Sequence, residues 1–343
     1  MSTLKATKKK YSHKTWYSLL PDENEEVNED NLKLFFKTMF ERQEIWFKRF
    51  ILKQEAPWTE DKIFANNKFT NVYRELDRNS QWLINNVLKI EKDRKQIIWK
   101  ILLFRIHNCV EFMEWIQEQE NSFQGNLPDY DEYIKEEWIA LIKAFRYSGG
   151  NPYTNAYLIN SMACPGCTRD KCYGDKVVPT LHKEVPVLNK LFLTAKKPEK
   201  IIDYLNTLPA VSNFVSHEFY QDFTYIERYS GKDIFPFDQN DFTNVGPGCE
   251  IGLRLIFPSL KTNKEKKDAL YLLRDIAEEE LRKHVDFKYL EYDIKNNKYY
   301  VTDKFNISCH PIEMWLCEFQ KYKKMQWGLG KQRSKFKSLT KKL

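Results

Sequence analysis

Apolar residues recur at three- and four-residue intervals through most of this chain. The pattern runs unbroken through "NLKLFFKTMFERQEIWFKRFILKQ" (31–54), "DRKQIIWKILLFRIHNCVEFMEWIQEQ" (93–119) and "DYDEYIKEEWIALIKAFRY" (129–147). It returns in "KKDALYLLRDIAEEELRKHV" (266–285) and "PIEMWLCEFQKYKKM" (311–325). That period gathers apolar side chains into one stripe of an α-helix, so each stretch is predicted helical. Pro311 suits a first helical position, where its missing N–H costs no intrahelical bond. In "PWTEDKIF", Thr59 can cap a further helix, with Glu60 and Asp61 set against its positive end. The pattern changes in "YDIKNNKYYVTD" (292–303), where Asn296 and Asn297 offer the turn of a β-hairpin. "YLNTLPAVSNFVSHEFYQDFTYI" (204–226) reads as helix, Leu-Pro turn, helix.

These elements predict a mainly α fold, two helical lobes in one compact unit, with a small β-hairpin. An acidic stretch, "DENEEVNED" (22–30), reads as a linker. The expected organisation is therefore a basic and acidic flexible segment over 1–30, a helical domain over 31–325, and a basic tail over 326–343. A cysteine-rich insertion interrupts the domain at 163–183. Aromatics make up 15% of the 343 residues, far above what a disordered chain carries. No apolar run approaches the roughly 18 residues of a membrane span, and "MSTLKATKKKYSHK" lacks the apolar stretch of a secretory signal. An intracellular protein without membrane contact is expected.

Charge sharpens the picture. Residues 1–14 hold five lysines and no acid, and residues 321–343 hold nine Lys or Arg and no acid. Since the whole chain carries only +7, residues 15–320 are net acidic. Basic ends on an acidic body fit either a polyanion contacted through the ends or solubilising tails.

Several residues carry candidate chemistry. In a helix-hairpin-helix, backbone N–H groups of the turn and of the second helix approach a DNA phosphate. Here the turn is Pro209, Ala210, Val211, Ser212 and Asn213, with Ala210 and Ser212 where such hairpins carry glycines. Downstream, Asp241 precedes Gly246, Pro247 and Gly248 and a helix near Cys249. A hairpin of this type followed by an aspartate before another helix resembles the helical DNA glycosylase superfamily, which implies a fixed carboxylate that stabilises positive charge on a sugar or orients a water; the alternative is a turn cap. In "FTNVYRELDR", a helix would put Arg74 and Arg78 on one face to clamp phosphate oxygens, with Asp77 orienting Arg74. Asn71 can read a base edge and Tyr73 can stack on a flipped base. The competing interpretation is a structural ion-pair cluster. Arg105, in "FRIHN", is expected in the same pocket, while His107 is expected to be a packing residue. Cys164, Cys167 and Cys172 form C-x2-C-x4-C, which with a fourth ligand would make a structural zinc site; His182 is the nearest candidate, with Asp170 or Cys249 as alternatives.

Read together and in order, "PWTEDKIFANNKFTNVYRELDRNSQWL" (57–83), "LLFRIHN" (102–108), "TNAYLI" (154–159), "LPAVSNFVSHEFYQDFTY" (208–225), "NDFTNVGPGCEIGLR" (240–254) and "LCEFQKY" (316–322) carry a resemblance. The chain resembles the alpha-glutamyl/putrescinyl thymine pyrophosphorylase family, the helical domain found with 5-hydroxymethyluracil DNA kinases. The resemblance spans roughly residues 40–325 and is most specific at 57–83 and 240–254. It implies a helix-hairpin-helix DNA glycosylase-like fold and a role in thymine hypermodification. The implied reaction is displacement of pyrophosphate from an activated 5-methyl substituent of a flipped base by an amine. The resemblance also points to Asp222 as a second catalytic carboxylate and to Asn155 as a substrate contact. Two departures stand out: the hairpin lacks its glycines, and "CPGCTRDKCYGDK" is inserted before it. No G-x-x-x-x-G-K-[ST] occurs in the sequence, so it does not itself carry a P-loop kinase site. Three functions stay open: a transferase or pyrophosphorylase on 5-hydroxymethyluracil-derived bases, a monofunctional glycosylase for modified bases, and a non-catalytic DNA-binding partner of a separate kinase. All three expect double-stranded DNA with modified pyrimidines as the partner.

Overall fold

The computed structural model describes residues 20–119, 127–154, 163–284 and 287–329. Fourteen α-helices are found among them, beside short 3-10 and π segments. In chain order these are α1 (Glu29–Trp46), α2 (Lys62–Asn66), α3 (Arg78–Leu83), α4 (Arg94–His107), α5 (Val110–Glu118), α6 (Lys135–Tyr147) and α7 (Arg169–Cys172). They continue with α8 (Val178–Thr194), α9 (Glu199–Asn206), α10 (Asn213–Thr224), α11 (Ile226–Ser230), α12 (Pro247–Ile256) and α13 (Asn263–Arg282). Strands β1 (Tyr289–Asp293) and β2 (Lys298–Thr302) then pair as a two-stranded sheet, and α14 (Cys309–Gln326) follows. No helix among the described residues is long and apolar enough to cross a membrane.

The mainly helical class and the hairpin follow the expectation. Local departures have identifiable causes. The stretch 93–119 is two helices rather than one, because Asn108 takes a left-handed conformation (φ 46°) and ends α4. Asparagine tolerates that region better than most side chains do. Helix α2 starts two residues later than expected: Asp61 is the cap, accepting from the N–H groups of Ile63 and Phe64. Thr59 instead accepts the Asp61 N–H and donates to Glu41. Thr262 and Glu265 form a reciprocal capping box at α13.

The chain divides into two compact units. The first draws on Met1–Val72, Val245–Leu290 and Val301–Leu343. Its core joins α1 to α12, α13 and α14 through Phe35, Phe36, Leu253, Leu270, Trp315 and Phe319, all buried. Polar groups fix the register: Asn31 Nδ2 donates to Leu255 O at 2.7 Å, and Trp315 Nε1 to Phe35 O at 3.3 Å. Helices α12 and α14 pack so closely that a side chain at Gly252 has no room. A Cβ built there would lie 2.4 Å from the Leu316 carbonyl oxygen.

The second unit is Tyr73–Asn244 with Glu291–Tyr300. Its core runs through Trp82, Trp99, Leu102, Phe104, Trp138 and Phe219. Helix α4 is central: α8 and α10 both pack on it. The hairpin residues in this unit join through Tyr299, whose hydroxyl accepts from Gln81 Nε2 at 2.7 Å. Arg228 closes on the buried Glu75 at 2.8 Å nearby.

Gly252→Ala is expected to destabilise the fold by about 1–3 kcal/mol, since backbone rather than a flexible side chain must give way. Thermal unfolding followed by circular dichroism measures the loss.

Candidate functional site

Helix α4 supplies the first charged group of the site. Arg105 lies one turn before the helix ends and is 2% exposed. Its Nε and Nη2 donate to the two oxygens of Asp222, each at 2.6 Å, in a bidentate pair. Its Nη1 donates to Asn108 Oδ1 at 3.0 Å. The left-handed turn at Asn108 places that oxygen there, and Asn79 Nδ2 donates to the same atom at 2.8 Å.

Helix α10 supplies the acids. Glu218 and Asp222 are four residues apart, hence one above the other on a single face. Glu218 Oε2 accepts from Arg74 Nη2 at 3.0 Å and lies 3.8 Å from Arg105 Nη1. Arg74 also sits 3.5 Å from Asp77. Two guanidinium groups and three carboxylates thus share one polar cluster within a helical core. Burial pushes the Asp222 carboxyl up, and the facing Arg105 opposes that shift. His217, beside Glu218 and packed against Phe242, is lowered to about 4, chiefly by burial. His107 is lowered to about 3 for the same reason. It stacks on Tyr153 and its Nδ1 meets Pro152 O at 2.9 Å, so it is a packing residue.

Several expectations are corrected by this geometry. Residues 71–78 are not a continuous helix: a short 3-10 turn at Arg74–Leu76 precedes α3. Arg74 and Arg78 therefore do not share a face. Arg78 lies at the surface, paired with Glu111 at 2.5 Å and Glu114 at 3.0 Å. The expected Arg74–Asp77 contact is present. Tyr73 is only 2% exposed. In the first unit, Asn71 accepts from Arg42 Nη2 at 2.5 Å through its Oδ1. Asp241 is exposed, and its Oδ2 accepts the Asp238 N–H at 2.8 Å, the arrangement of a turn cap. Asn155 lies outside the described residues, as do the basic residues 1–14 and most of the basic tail.

Sequence patterning missed Glu218, although its i,i+4 spacing to Asp222 was legible. Glu318 stands three residues before Lys321, the spacing of a surface ion pair. It is 3% exposed, and besides pairing with Lys321 it accepts the Thr70 N–H at 3.4 Å. One turn on, Tyr322 donates to Asp61 at 2.6 Å. The "LCEFQKY" block thereby holds the "PWTEDKIFANNKFTN" block within the first unit.

The helix–turn–helix expected at 204–226 is formed by α9 and α10. Ala210 has φ 64°, the left-handed backbone that glycine adopts freely, whereas Ser212 is extended (φ −95°) and has no need of glycine. Leu208 and Val211 are buried anchors, while Ser212, Asn213 and Phe214 are exposed at the start of α10. Pro209 is half-buried. Gly246 precedes α12 in an extended conformation, and Gly248 faces α14, where a Cβ would lie 3.1 Å from Cys317 Sγ.

The expected zinc ligands are not gathered. Cys164 is bonded to Cys172, and Cys167 is exposed. His182 is turned into an aromatic nest of Trp99, Tyr130 and Tyr133, its Nε2 2.7 Å from Tyr130 O. No group of three or more His, Cys, Asp or Glu among the described residues is placed to hold a metal ion.

With this geometry in view, comparison with known proteins defines the class. The family described as "5-hmdU DNA kinase, helical domain" matches residues 29–331, and the chain belongs to that family. Among individual proteins, it is 25% identical over 342 residues to the 5-hmdU DNA kinase of Bacillus phage SP10. That alignment covers 93% of this chain and 51% of the phage protein, so the chain spans about half the length of this relative. No solved structure matches it.

Two outcomes are expected. A histidine buried neutral binds its proton less readily in the folded than in the unfolded state, whose value is about 6.5. The stability from His107 is therefore complete above that pH and drains away as pH falls towards 3. Between pH 6 and 4.5, His107→Gln should reduce the pH slope of denaturant-unfolding free energy by about 1.4 kcal/mol per unit. Ala210→Gly should raise stability by about 0.5–1 kcal/mol, relief of the left-handed strain exceeding the entropy that glycine adds to the unfolded chain. Urea titration measures both.

Proposed function

We propose that this chain is the helical part of a system that modifies 5-hydroxymethyluracil in DNA, and that it acts on the modified base itself. The observation that carries this proposal is the cluster of Arg74, Arg105, Glu218 and Asp222. Buried charges cost several kcal/mol each to desolvate, and two neighbouring ion pairs add little net stability to a core that apolar residues could fill. Such clusters mark sites where charge is needed for chemistry. Family membership supports the substrate class: the family and the phage relative are both named for 5-hmdU.

The reaction we favour is displacement of an activated, pyrophosphoryl substituent from the 5-hydroxymethyl carbon of an extruded base. Positive character grows on that carbon as the leaving group departs, and carboxylates fixed beforehand stabilise it without reorganising. Arg74 is the more exposed of the two guanidinium groups and the natural contact for the leaving oxygens. Asp222, clamped on both oxygens, serves to orient Arg105 and hold the cluster's charge. Glu218, held on one oxygen by Arg74, is the carboxylate with an edge to offer. The exposed start of α10, with Ser212 and Asn213, is the matching grip for a backbone phosphate.

One structural feature favours a second function, excision of the base. The cluster contains three acids against two guanidinium groups, a balance that also suits a cationic sugar. Asp241, on the segment after the hairpin, is the alternative carboxylate for that chemistry.

The test is mass spectrometry of nucleosides from duplex DNA carrying pyrophosphorylated 5-hydroxymethyluracil, treated with protein and a primary amine. A heavier nucleoside with release of pyrophosphate is the expected outcome. Alkali-labile abasic sites would assign excision instead, and unchanged DNA would overturn both. Glu218→Gln and Asp222→Asn should each lower turnover by about 100-fold or more. Asp241→Asn, assayed beside them, should stay near wild type if the buried cluster does the chemistry, and should match their loss if the hairpin segment does.

A further inference from the structure

A second chemically active constellation lies apart from the charged cluster. Cys164, Pro165, Gly166 and Cys167 close a β-turn: the Cys167 N–H donates to Cys164 O at 3.1 Å, and Gly166 has φ 77°. Proline followed by a glycine of positive φ is the signature of a type II turn. The sulfur of Cys164 is bonded to that of Cys172, the last residue of α7, with Cα atoms 5.5 Å apart. The third sulfur, on Cys167, is free and exposed.

The two ends of a β-turn lie within about 7 Å of each other, and a disulfide needs Cα atoms about 4.4–6.8 Å apart. The hydrogen-bonded turn thus keeps Cys167 close to the span a disulfide to Cys164 would need, while Cys172 already occupies it. We propose that this loop is a thiol–disulfide exchange centre, in which Cys164 is shared between Cys172 and Cys167 and low-molecular-weight thiols and disulfides are the co-reactants.

The exchange balances within the loop. The Cys167 thiolate attacks Cys164 Sγ; the new bond forms as the Cys164–Cys172 bond breaks, and its electron pair leaves on Cys172 Sγ. Cys172 takes up the proton that Cys167 released, and no electron enters or leaves. From the fully reduced loop, a small disulfide RSSR supplies the oxidation. It forms a mixed disulfide on Cys167 with loss of RSH, and Cys164 then displaces the second RSH.

The three sulfurs differ in setting, which gives the exchange a direction. Cys172 is 8% exposed and belongs to the core of the second unit with Tyr173 and Val177. Cys164 sits at the edge of that core, and Cys167 lies outside it. Apolar surroundings disfavour the Cys172 thiolate as a leaving group, so the exchange runs towards the Cys164–Cys172 bond and the Cys164–Cys167 form is the minor species. The Cys172-bonded form fastens the turn to α7 and so to α8, which packs on the Arg105-bearing α4. In the Cys167-bonded form the turn closes on itself, and the contact of Lys176 Nζ with Ala163 O at 2.8 Å holds the loop instead.

The test uses the full chain purified without reductant and equilibrated across reduced-to-oxidised glutathione ratios. Free thiols are then trapped with an alkylating label and the peptides mapped by mass spectrometry. Wild type should show Cys164–Cys172 with Cys167 labelled. Cys172→Ala should shift the bond to Cys164–Cys167, whereas Cys164→Ser should leave both remaining loop cysteines labelled. Cys167→Ser should keep Cys164–Cys172. Should Cys172→Ala fold poorly, a time course on wild type after mild acid trapping reads the minor Cys164–Cys167 species directly, expected at a few per cent or more. Three labelled cysteines at every glutathione ratio would overturn the proposal. So would one zinc ion per chain, measured by emission spectrometry, that protects all three from the label.

Discussion

The bidentate pair between Arg105 and Asp222 constrains everything around it in the second unit. Both side chains are almost wholly buried, and an isolated charge in that position would cost several kcal/mol. The pair survives only because its geometry is saturated. Each carboxylate oxygen has a guanidinium N–H at 2.6 Å, and the remaining nitrogen reaches Asn108 and the edge of Glu218. That saturation dictates local structure. Helix α4 must stop at a left-handed residue so that Asn108 can turn back, and α10 must present two acids four residues apart. The 74–77 turn must bring Arg74 to the second acid. Removing either member of the central pair would strand a buried charge and cost about 3–5 kcal/mol, which ties the integrity of the fold to that of the proposed chemistry.

Much of this was legible from the order of residues, and what was not has physical causes. Helical stripes, the β-hairpin and the bent helix pair follow from apolar spacing and turn residues. The break at Asn108 was hidden because the apolar period runs straight across it; the interruption comes from one backbone torsion, which periodicity does not register. Arg74 and Arg78 were assigned a common face on the premise of a helix, and the extended residue Asp77 between two short turns separates them. Asp222 came from family resemblance alone. Glu218 escaped because a carboxylate on a helix is by default a solvent-facing residue, and only the tertiary packing of α10 on α4 reveals it as buried. The ordered blocks agree with membership of the 5-hmdU DNA kinase helical-domain family, while the pyrophosphorylase chemistry that the resemblance implies is a proposal that rests on the cluster.

The block "LCEFQKY" has a structural use in the first unit. Glu318 accepts a main-chain N–H from the segment before Tyr73, and Tyr322 holds the capping residue of α2. Its acid and phenol thus fix backbone in the first unit, at a distance of roughly 250 residues along the sequence. A buried glutamate beside an exposed lysine gives the same letters as a surface ion pair. Only accessibility separates the two.

The interleaving of the two units has a consequence for biosynthesis. Helix α1 is translated before its core partners α12, α13 and α14, which emerge roughly 200–260 residues later. Nearly all of the second unit, by contrast, is one uninterrupted stretch, Tyr73–Asn244. On the ribosome the second unit can therefore collapse while α1, with Phe35 and Phe36 uncovered, still waits for a surface to join. Until α14 has emerged, the stripe of α1 that carries Phe35 and Phe36 lacks part of the surface that Trp315 and Phe319 provide.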